Sequence, residues 1–451
     1  MIAAVTDPAV LDGYLVDASN VRGFADRLYR PRDAEEVAAI LANAQSTGMP
    51  VTVTARRTST TGAPVPTAGA LVSTEGLARI LGRDVVESGV LLGAYQAMTE
   101  REGWLFPPDP TSREECSVGG AVACNASGAR SFRFGPTRPW IEAVDLVTPT
   151  GEVLREVTRA TPSPWPVPRW TEPRTKTAAG SYPADNLLDL VIGAEGTLGV
   201  VTRVRTRLIP LPAHVLGLLA YFPNRASTLG FVAACRAMPP QGGPRCVEYF
   251  DRHSLDLIRG RAPDVPDADS AIFLEIEHAD PEPPVEDWVD RLLQHDALID
   301  DTVVATDAPS RARLHELRHA LPAGVNERLS RTGVPKVGTD FAVPADALPE
   351  MMDLYDQHDI PTVCFGHIGD AHLHLNFLPR DAAELAEARR RYTWLAERAI
   401  ALGGTVSAEH GIGRHKRALL AKMVPPALID AWRALRAAAD PAGVLGRGVM
   451  V

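Results

Sequence analysis

The sequence predicts an α+β chain folded as two domains, and three observations carry that reading. Its 451 residues amount to two or three domains of about 150 residues each. A helix, a strand and a small polar loop follow one another between residues 33 and 62, and a hairpin occupies 143–157. The break Pro210-Leu211-Pro212 then precedes a fresh run of helices and strands, which sets the first domain at 1–212 and the second at 213–437.

Taken in order, Asp33 and Glu36 form a capping box, and Val37, Ile40, Leu41 and Ala44 share one helical stripe that Gly48 and Pro50 end. Val51 and Val53 alternate with threonines as a strand that runs into the loop Ala55–Gly62. Ala143–Thr148, the turn Pro149-Thr150-Gly151 and Glu152–Val157 read as the hairpin, so this sheet is antiparallel or mixed. Five prolines and two tryptophans between Thr161 and Pro173 exclude a central strand and make a stiff surface loop, whose tryptophans could equally cover a cleft. Beyond the break, Arg225–Ala237 reads as a helix, Arg245–Tyr249 and Ala271–Glu277 as strands, and Ala382–Leu402 as a long helix ended by Gly403-Gly404.

Apolar residues at 45% and charged residues at 23% fit a globular chain. A net charge of −10, with no basic run interleaved with aromatics, excludes nucleic acid as the expected partner. Five scattered cysteines suit a reducing compartment and match neither iron–sulfur nor CxxC zinc spacing. Residues 1–18 lack the basic segment and apolar core of a signal peptide. No apolar run approaches the ~18 residues of a membrane span, so a cytoplasmic protein is expected.

Two stretches carry more small residues than turns require. One holds Pro107-Pro108-Asp109-Pro110-Thr111-Ser112, Val118-Gly119-Gly120, Asn125-Ala126-Ser127-Gly128 and Phe134-Gly135-Pro136-Thr137-Arg138; the other is Gly193-Ala194-Glu195-Gly196-Thr197-Leu198-Gly199. Small residues let backbone amides converge on a pyrophosphate, or equally let helix and sheet pack tightly. GxGxxG, the Walker loop and GxSxG are absent. In their order, the motifs resemble the two-lobed PCMH-type FAD-binding domain of the vanillyl-alcohol-oxidase flavoproteins across most of residues 20–212.

That resemblance implies a noncovalent FAD lined by Pro108, Asp109, Pro110, Thr111, Ser112, Gly119, Gly120, Asn125, Ser127, Gly128, Gly135, Glu195, Gly196 and Gly199. From the first loop it implies Arg56, Arg57, Thr58, Ser59, Thr61 and Gly62. The family usually has glycines where this chain has Ala55-Arg56-Arg57. A positive φ there would cost of order 1 kcal/mol per residue, and the arginines could compensate by contacting the diphosphate, or point to solvent while the turn is remodelled.

The densest chemistry is Gly366-His367-Ile368-Gly369-Asp370-Ala371-His372-Leu373-His374-Leu375-Asn376. Twelve histidines in 451 residues place about 0.2 in an average eight-residue window, and residues 367–374 hold three. His372, His374 and Asn376 share one face of a strand, and Ser407-Ala408-Glu409-His410-Gly411 adds a carboxylate and a fourth imidazole. Two imidazoles, a carboxylate and an open position suit a catalytic divalent metal such as Zn²⁺; a hydrogen-bonded polar core is the metal-free alternative.

These segments resemble the α+β C-terminal domain of FAD-linked 2-hydroxyacid dehydrogenases, the group that includes D-lactate and D-2-hydroxyglutarate dehydrogenases and the flavin subunit of glycolate oxidase. Carried across by motif, His367, His374 and Glu409 hold the metal, His410 is the catalytic base, and Asn376, Arg318 and Lys336 contact substrate. Ala371-His372 replaces the usual Gly-Asn, so His372 could replace a ligand, reach substrate or fill space. The expected reaction takes a small anionic 2-hydroxy acid, D-configured, to the 2-oxo acid by metal-assisted proton abstraction and hydride transfer to flavin N5.

Electrons would then pass to oxygen, a quinone or a separate carrier, and a homodimer is the expected assembly. Two alternatives stay open: a non-redox alkylglycerone-phosphate-synthase-like transferase, whose relatives usually show histidine in place of Glu409, and a degenerate flavoprotein acting as a binding subunit. The tail resembles the family's terminal segment, although Gly446-Arg447 replaces the usual Asn-Pro, which implies that 438–451 returns to the first domain.

Overall fold

The structure, a computed structural model, describes residues 3–260 and 262–451, leaving aside the side chains at 319, 322, 323, 326 and 330. Arg27–Tyr29, Ala70–Ser73 and Val51–Thr54 form a parallel sheet with the middle strand last in sequence. The helix Ala34–Thr47 lays Val37, Ile40, Leu41 and Ala44 on it. Its start is set by Asp33, whose carboxylate accepts the Glu36 amide at 2.8 Å. Glu36 reaches back to the Arg32 amide, also at 2.8 Å, rather than to Asp33, so the capping box closes on one side only.

Val85–Glu87, Val200–Thr206, Ile141–Val147 and Val153–Thr158 form an antiparallel sheet in that order, with the expected hairpin at its edge. Gly151 turns that hairpin at φ 89°, and a Cβ there would lie 2.7 Å from the Ala38 carbonyl oxygen. The proline-rich segment 161–173 is anchored by its tryptophans. Trp165 packs on the core of this sheet, and Trp170 stands edge-on to Trp432 at 5.6 Å; neither lines the cavity that Glu409 and His410 share with Gly119 and Gly196. The tail runs beside the parallel sheet, where the Val51 amide donates to Val444 at 2.8 Å, and ends with the Met450 amide on Gly413 at 2.7 Å.

The third sheet has eight strands and is antiparallel at every pairing: Val303–Ala305, His214–Phe222, Ser270–His278, Pro244–Asp251, Thr362–Gly366, His372–Phe377 and Val337–Gly338, with Phe341–Ala342 beside His372–Phe377. Along His214–Phe222, Leu216, Leu218 and Ala220 face one core with the helices Arg225–Ala237 and Val285–Leu293. Leu219 and Tyr221 face the other core with Arg252–Arg259 and Ala308–Thr332. Both faces are covered, so the strands are almost continuously apolar and the buried charges Arg245, Glu248 and Glu275 stand out in them. Among the described residues no helix is long and apolar enough to cross a membrane.

Candidate active site

Four small-residue loops of the first half enclose a cavity of about 630 Å³. The first loop contributes Arg56, Arg57, Thr58 and Ser59, and the second Pro110, Thr111 and Ser112. Gly119, Gly120 and Ser127 line it from the helix Val118–Cys124 and the turn after it, and Glu195, Gly196 and Gly199 close it. Packing and lining are not exclusive readings here: a Cβ on Gly119 would sit 2.4 Å from the Ser88 Cβ.

Seven expected lining residues brace these loops instead of facing the cavity. The Pro108 carbonyl accepts from Gln96 at 2.7 Å, and Asp109 pairs with Arg113 at 3.1 Å. Gly128 is required because its Cβ would meet the Asp109 carbonyl oxygen at 1.8 Å. Asn125, at φ 47°, ends the helix Val118–Cys124 and accepts the Arg138 amide at 2.8 Å, while Gly135 ends the turn Ser131–Phe134 at φ 70°. The Gly62 amide donates to Asp17 at 3.0 Å, and Thr61 accepts the Arg414 amide at 2.9 Å.

The two arginines of the first loop divide their roles. Arg57 does adopt positive φ, at 59°, and its guanidinium donates to Ala55 O at 2.7 Å and Glu75 at 3.0 Å while lying 4.3 Å from the Tyr14 ring centre. Arg56 lines the cavity with its Nε lacking a hydrogen-bond partner.

The imidazoles gather where the third sheet meets this cavity. Gly366, at φ 132°, turns the chain out of the Thr362–Gly366 strand, a short 3₁₀ turn follows, and Ala371 at φ 52° leads into His372–Phe377. His367 Nδ1 lies 2.6 Å from Glu248, so it donates there, and its Nε2 faces Glu409 Oε1 at 3.4 Å; against burial, Glu248 and Glu409 raise the imidazole pKa to about 9, so a proton holds that edge where no cation does. His374 Nδ1 faces the Thr339 carbonyl at 3.0 Å, which fixes the same tautomer, and its Nε2 lies 3.3 Å from the same Glu409 oxygen. Three acceptors therefore converge on one point, an arrangement that repels itself unless a cation or proton sits between them. His367, His372, His374 and Glu409 can present donor atoms all within 4.8 Å of one another.

Asp340 organises the second segment. Its carboxylate accepts the amides of Glu409 at 3.2 Å and His410 at 3.1 Å, and receives Ser407 Oγ at 2.9 Å and Lys416 Nζ at 2.6 Å. Burial opposes its charge, but its pKa is lowered well below the usual carboxylate range, with the Lys416 ammonium the cation beside it at neutral pH. His410 Nδ1 lies 3.4 Å from that carboxylate, Nε2 lies 3.7 Å from Glu409 Oε1, and the ring stacks on His374 at 5.5 Å. Burial pushes the His410 pKa down to about 4, which leaves the imidazole neutral near pH 7. Glu409 and His410 both line the 630 Å³ cavity.

Of the expected substrate contacts, Lys336 donates to Asn376 at 2.8 Å, and Asn376 donates to the His374 carbonyl at 3.1 Å, so these two stand together beside the imidazoles. Arg318 does not join them. Its guanidinium is buried and bound to Glu248 at 3.0 Å, behind the ring edge of His367 that faces away from Glu409. His372 is fully buried, 3.1 Å from Asp340 and 4.0 Å from Glu409, and does not reach the cavity wall.

Sequence reasoning missed Glu248, Asp340 and Lys176. Glu248 was detectable as a charge inside an apolar strand; Lys176, in a run of small polar residues, gave no signal.

One contact ties the two halves directly. Glu195 accepts the amides of Ile412 at 2.8 Å and Gly413 at 2.7 Å, just past His410. Burial pushes its pKa up to about 7 against those two donors. Between about pH 4.3, where an unfolded glutamate ionises, and 7, the folded form keeps a proton that the unfolded chain has lost, so stability falls as pH rises, by up to roughly 4 kcal/mol. The melting temperature of the wild type relative to Glu195→Gln is therefore expected to decline steadily across that window; a constant difference contradicts the assignment.

Comparison with known proteins returns a consistent group. The family described as "FAD linked oxidases, C-terminal domain" matches residues 211–450, and that described as "FAD binding domain" matches 25–156. The chain is 28% identical to glycolate oxidase subunit GlcD of Bacillus subtilis (strain 168), covering 97% of this chain and 91% of that protein. It is 28% identical to a D-lactate dehydrogenase of Anaerostipes hadrus (93% and 88% covered) and 30% identical to a D-2-hydroxyglutarate dehydrogenase of Xanthomonas citri pv. viticola (93% and 87% covered). A solved alkyldihydroxyacetonephosphate synthase superposes with a TM-score of 0.70 at 16% identity, over 98% of this chain and 81% of that one, a likeness of fold.

Proposed function

The chain belongs to the FAD-linked oxidase family, and from that premise we propose that it oxidises a D-configured 2-hydroxy acid to the 2-oxo acid at a centre formed by FAD and a divalent cation, Zn²⁺ being the best fit to the donor set. The observation that carries this reading is the shared wall: Glu409 and His410 line the same cavity as the loops expected to hold FAD.

Both groups suit the residues present. The cavity is lined by small side chains and one unpaired guanidinium, and two imidazole lone pairs with one carboxylate oxygen form a three-ligand set for a dication. When bound, FAD supplies the hydride acceptor and the cation makes the substrate hydroxyl more acidic. His410, neutral and facing the cavity, takes the hydroxyl proton at Nε2, while Asp340 holds its Nδ1 edge. Lys336 and Asn376 receive the substrate carboxylate. Arg318 acts through Glu248, which keeps His367 in its Nδ1–H tautomer. Cys116 and Cys124 line the cavity, but burial pushes both thiols up to about 12, which suits noncovalent FAD.

The electrons taken from substrate would leave to oxygen, a quinone or a separate carrier. Five unpaired thiols agree with a reducing compartment such as the cytoplasm, and a homodimer is the assembly we propose. Glu409 beside two imidazoles favours this dehydrogenase over a non-redox transferase of the same fold. Dye reduction with paired D and L 2-hydroxy acids, with and without a chelator, tests the reading: D-selective turnover lost on chelation supports it, and chelator-resistant turnover contradicts it.

FAD affinity separates the two arginines. Arg56→Ala is expected to weaken FAD binding by about 10–100-fold, the worth of a charge-assisted hydrogen bond to the diphosphate. Arg57→Ala leaves it within a few-fold, because that guanidinium is already held by Glu75. Flavin fluorescence during reconstitution of apoprotein measures both; equal losses contradict the division.

A further inference from the structure

The two oxygens of Glu409 face different surroundings. Oε1 points to His367 Nε2, His374 Nε2 and His410 Nε2 at 3.4, 3.3 and 3.7 Å. Oε2 is occupied from the other side by Lys176 Nζ at 2.9 Å and Ser127 Oγ at 3.1 Å. The Lys176 side chain is 8% exposed, and its ammonium is fixed in turn by Ser131 Oγ at 3.0 Å and Asp370 at 3.6 Å.

The segment that delivers this lysine has no regular structure and is pinned along its length. Thr175 Oγ1 donates to Val343 O at 3.0 Å, Thr177 Oγ1 meets Thr405 Oγ1 at 2.9 Å, and the Ala178 amide donates to Ser407 O at 2.8 Å. Two of these three hydrogen bonds thus run to the chain that leads into Glu409.

Resting on the proposed metal centre, we infer that Lys176 is a positioning residue that restricts Glu409 to single-oxygen coordination and so keeps one position of the cation open for substrate. A carboxylate without a partner on its second oxygen can grip a cation with both. Two imidazoles and a two-oxygen carboxylate fill the four positions that a small dication prefers, whereas one oxygen leaves a vacancy. Lys176 also cancels the charge of Glu409, so the full dication charge remains to attract an anionic substrate. Ser127, a neutral donor, reinforces the same geometry.

The test uses full-length, flavin-loaded protein, freed of metal by a chelator and reloaded with Zn²⁺ alone. X-ray absorption at the zinc edge reads the coordination shell of the wild type, Lys176→Met and Lys176→Arg, and metal analysis reads the zinc content. The wild type is expected to hold one zinc per chain without the short metal–carbon path of a two-oxygen carboxylate. That path is expected to appear in Lys176→Met and to vanish again in Lys176→Arg. A two-oxygen carboxylate in the wild type or in Lys176→Arg overturns the inference, as does a loaded Lys176→Met with an unchanged shell. Wild-type protein that takes up no zinc overturns the metal centre itself, a separate failure read from the zinc content.

Discussion

With His410 replaced by Asn, the protein is expected to keep bound FAD and cation but to reduce that flavin with a D-2-hydroxy acid about 10²–10⁴-fold more slowly, the usual contribution of a positioned general base. Three features of the geometry lead to this size. The ring lines the cavity at which the loops of the first half converge. Partial burial lowers its pKa from the ordinary histidine value, so the basic form predominates at neutral pH without any conformational step. Asp340 anchors both the ring edge and the backbone amide of the same residue, so the Asn variant keeps its amide bond and its loop. Anaerobic flavin absorbance after rapid mixing measures the rate, and bound flavin reports that the fold survived. A variant within a few-fold of wild type excludes His410 as the base.

Removing the cation is expected to cost about 10³-fold or more, because Lewis-acid stabilisation of the developing alkoxide is worth several kcal/mol and each 1.36 kcal/mol is a decade. Two routes separate chemistry from architecture. Chelation leaves every side chain in place and lowers the rate while the flavin stays bound. Glu409→Ala lowers the rate as much but also strips Lys176 of its nearest counterion in a buried setting, so it is expected to lose of order 3 kcal/mol of stability as well. Rate and melting temperature that both fall on chelation and return with Zn²⁺, against losses in the variant that Zn²⁺ does not restore, are the expected pair. Undiminished activity after complete metal removal, verified by metal analysis, contradicts the centre.

What the sequence disclosed was what the chain encodes locally. Asp33 caps its helix, Pro149-Thr150-Gly151 turns its hairpin, and His367, His372 and His374 lie within eight residues, so short-range patterns suffice to find them. The partners that tune those residues come from far away. Glu248 meets His367 across 119 positions, Lys176 meets Glu409 across 233, and Asp340 meets His410 across 70. No periodicity records such pairings; they exist only once the strand Pro244–Asp251 lies beside Thr362–Gly366 and the segment around 175–178 is pinned to the chain before Glu409.

Arg318 shows the same limit from the other side. The residue type suits a carboxylate, but its position on the helix Ala308–Thr332 turns the guanidinium to Glu248, beneath the imidazole rather than over the cavity. The loop Ala55-Arg56-Arg57 was only half legible. Its positive φ could be suspected from the missing glycines, whereas the capture of Arg57 by Tyr14 and Glu75 depends on elements 18 and more residues distant.

The most direct test of the whole account is an anaerobic mixing experiment with the flavin-loaded, zinc-loaded protein and a panel of paired D and L 2-hydroxy acids. At least one D acid is expected to bleach the flavin completely, its L enantiomer is expected not to, and prior chelation is expected to prevent the bleaching until Zn²⁺ is restored. Flavin that stays oxidised with every acid, or that bleaches equally well with the metal removed, contradicts the claim that the imidazole–carboxylate centre and the flavin act on one carbon.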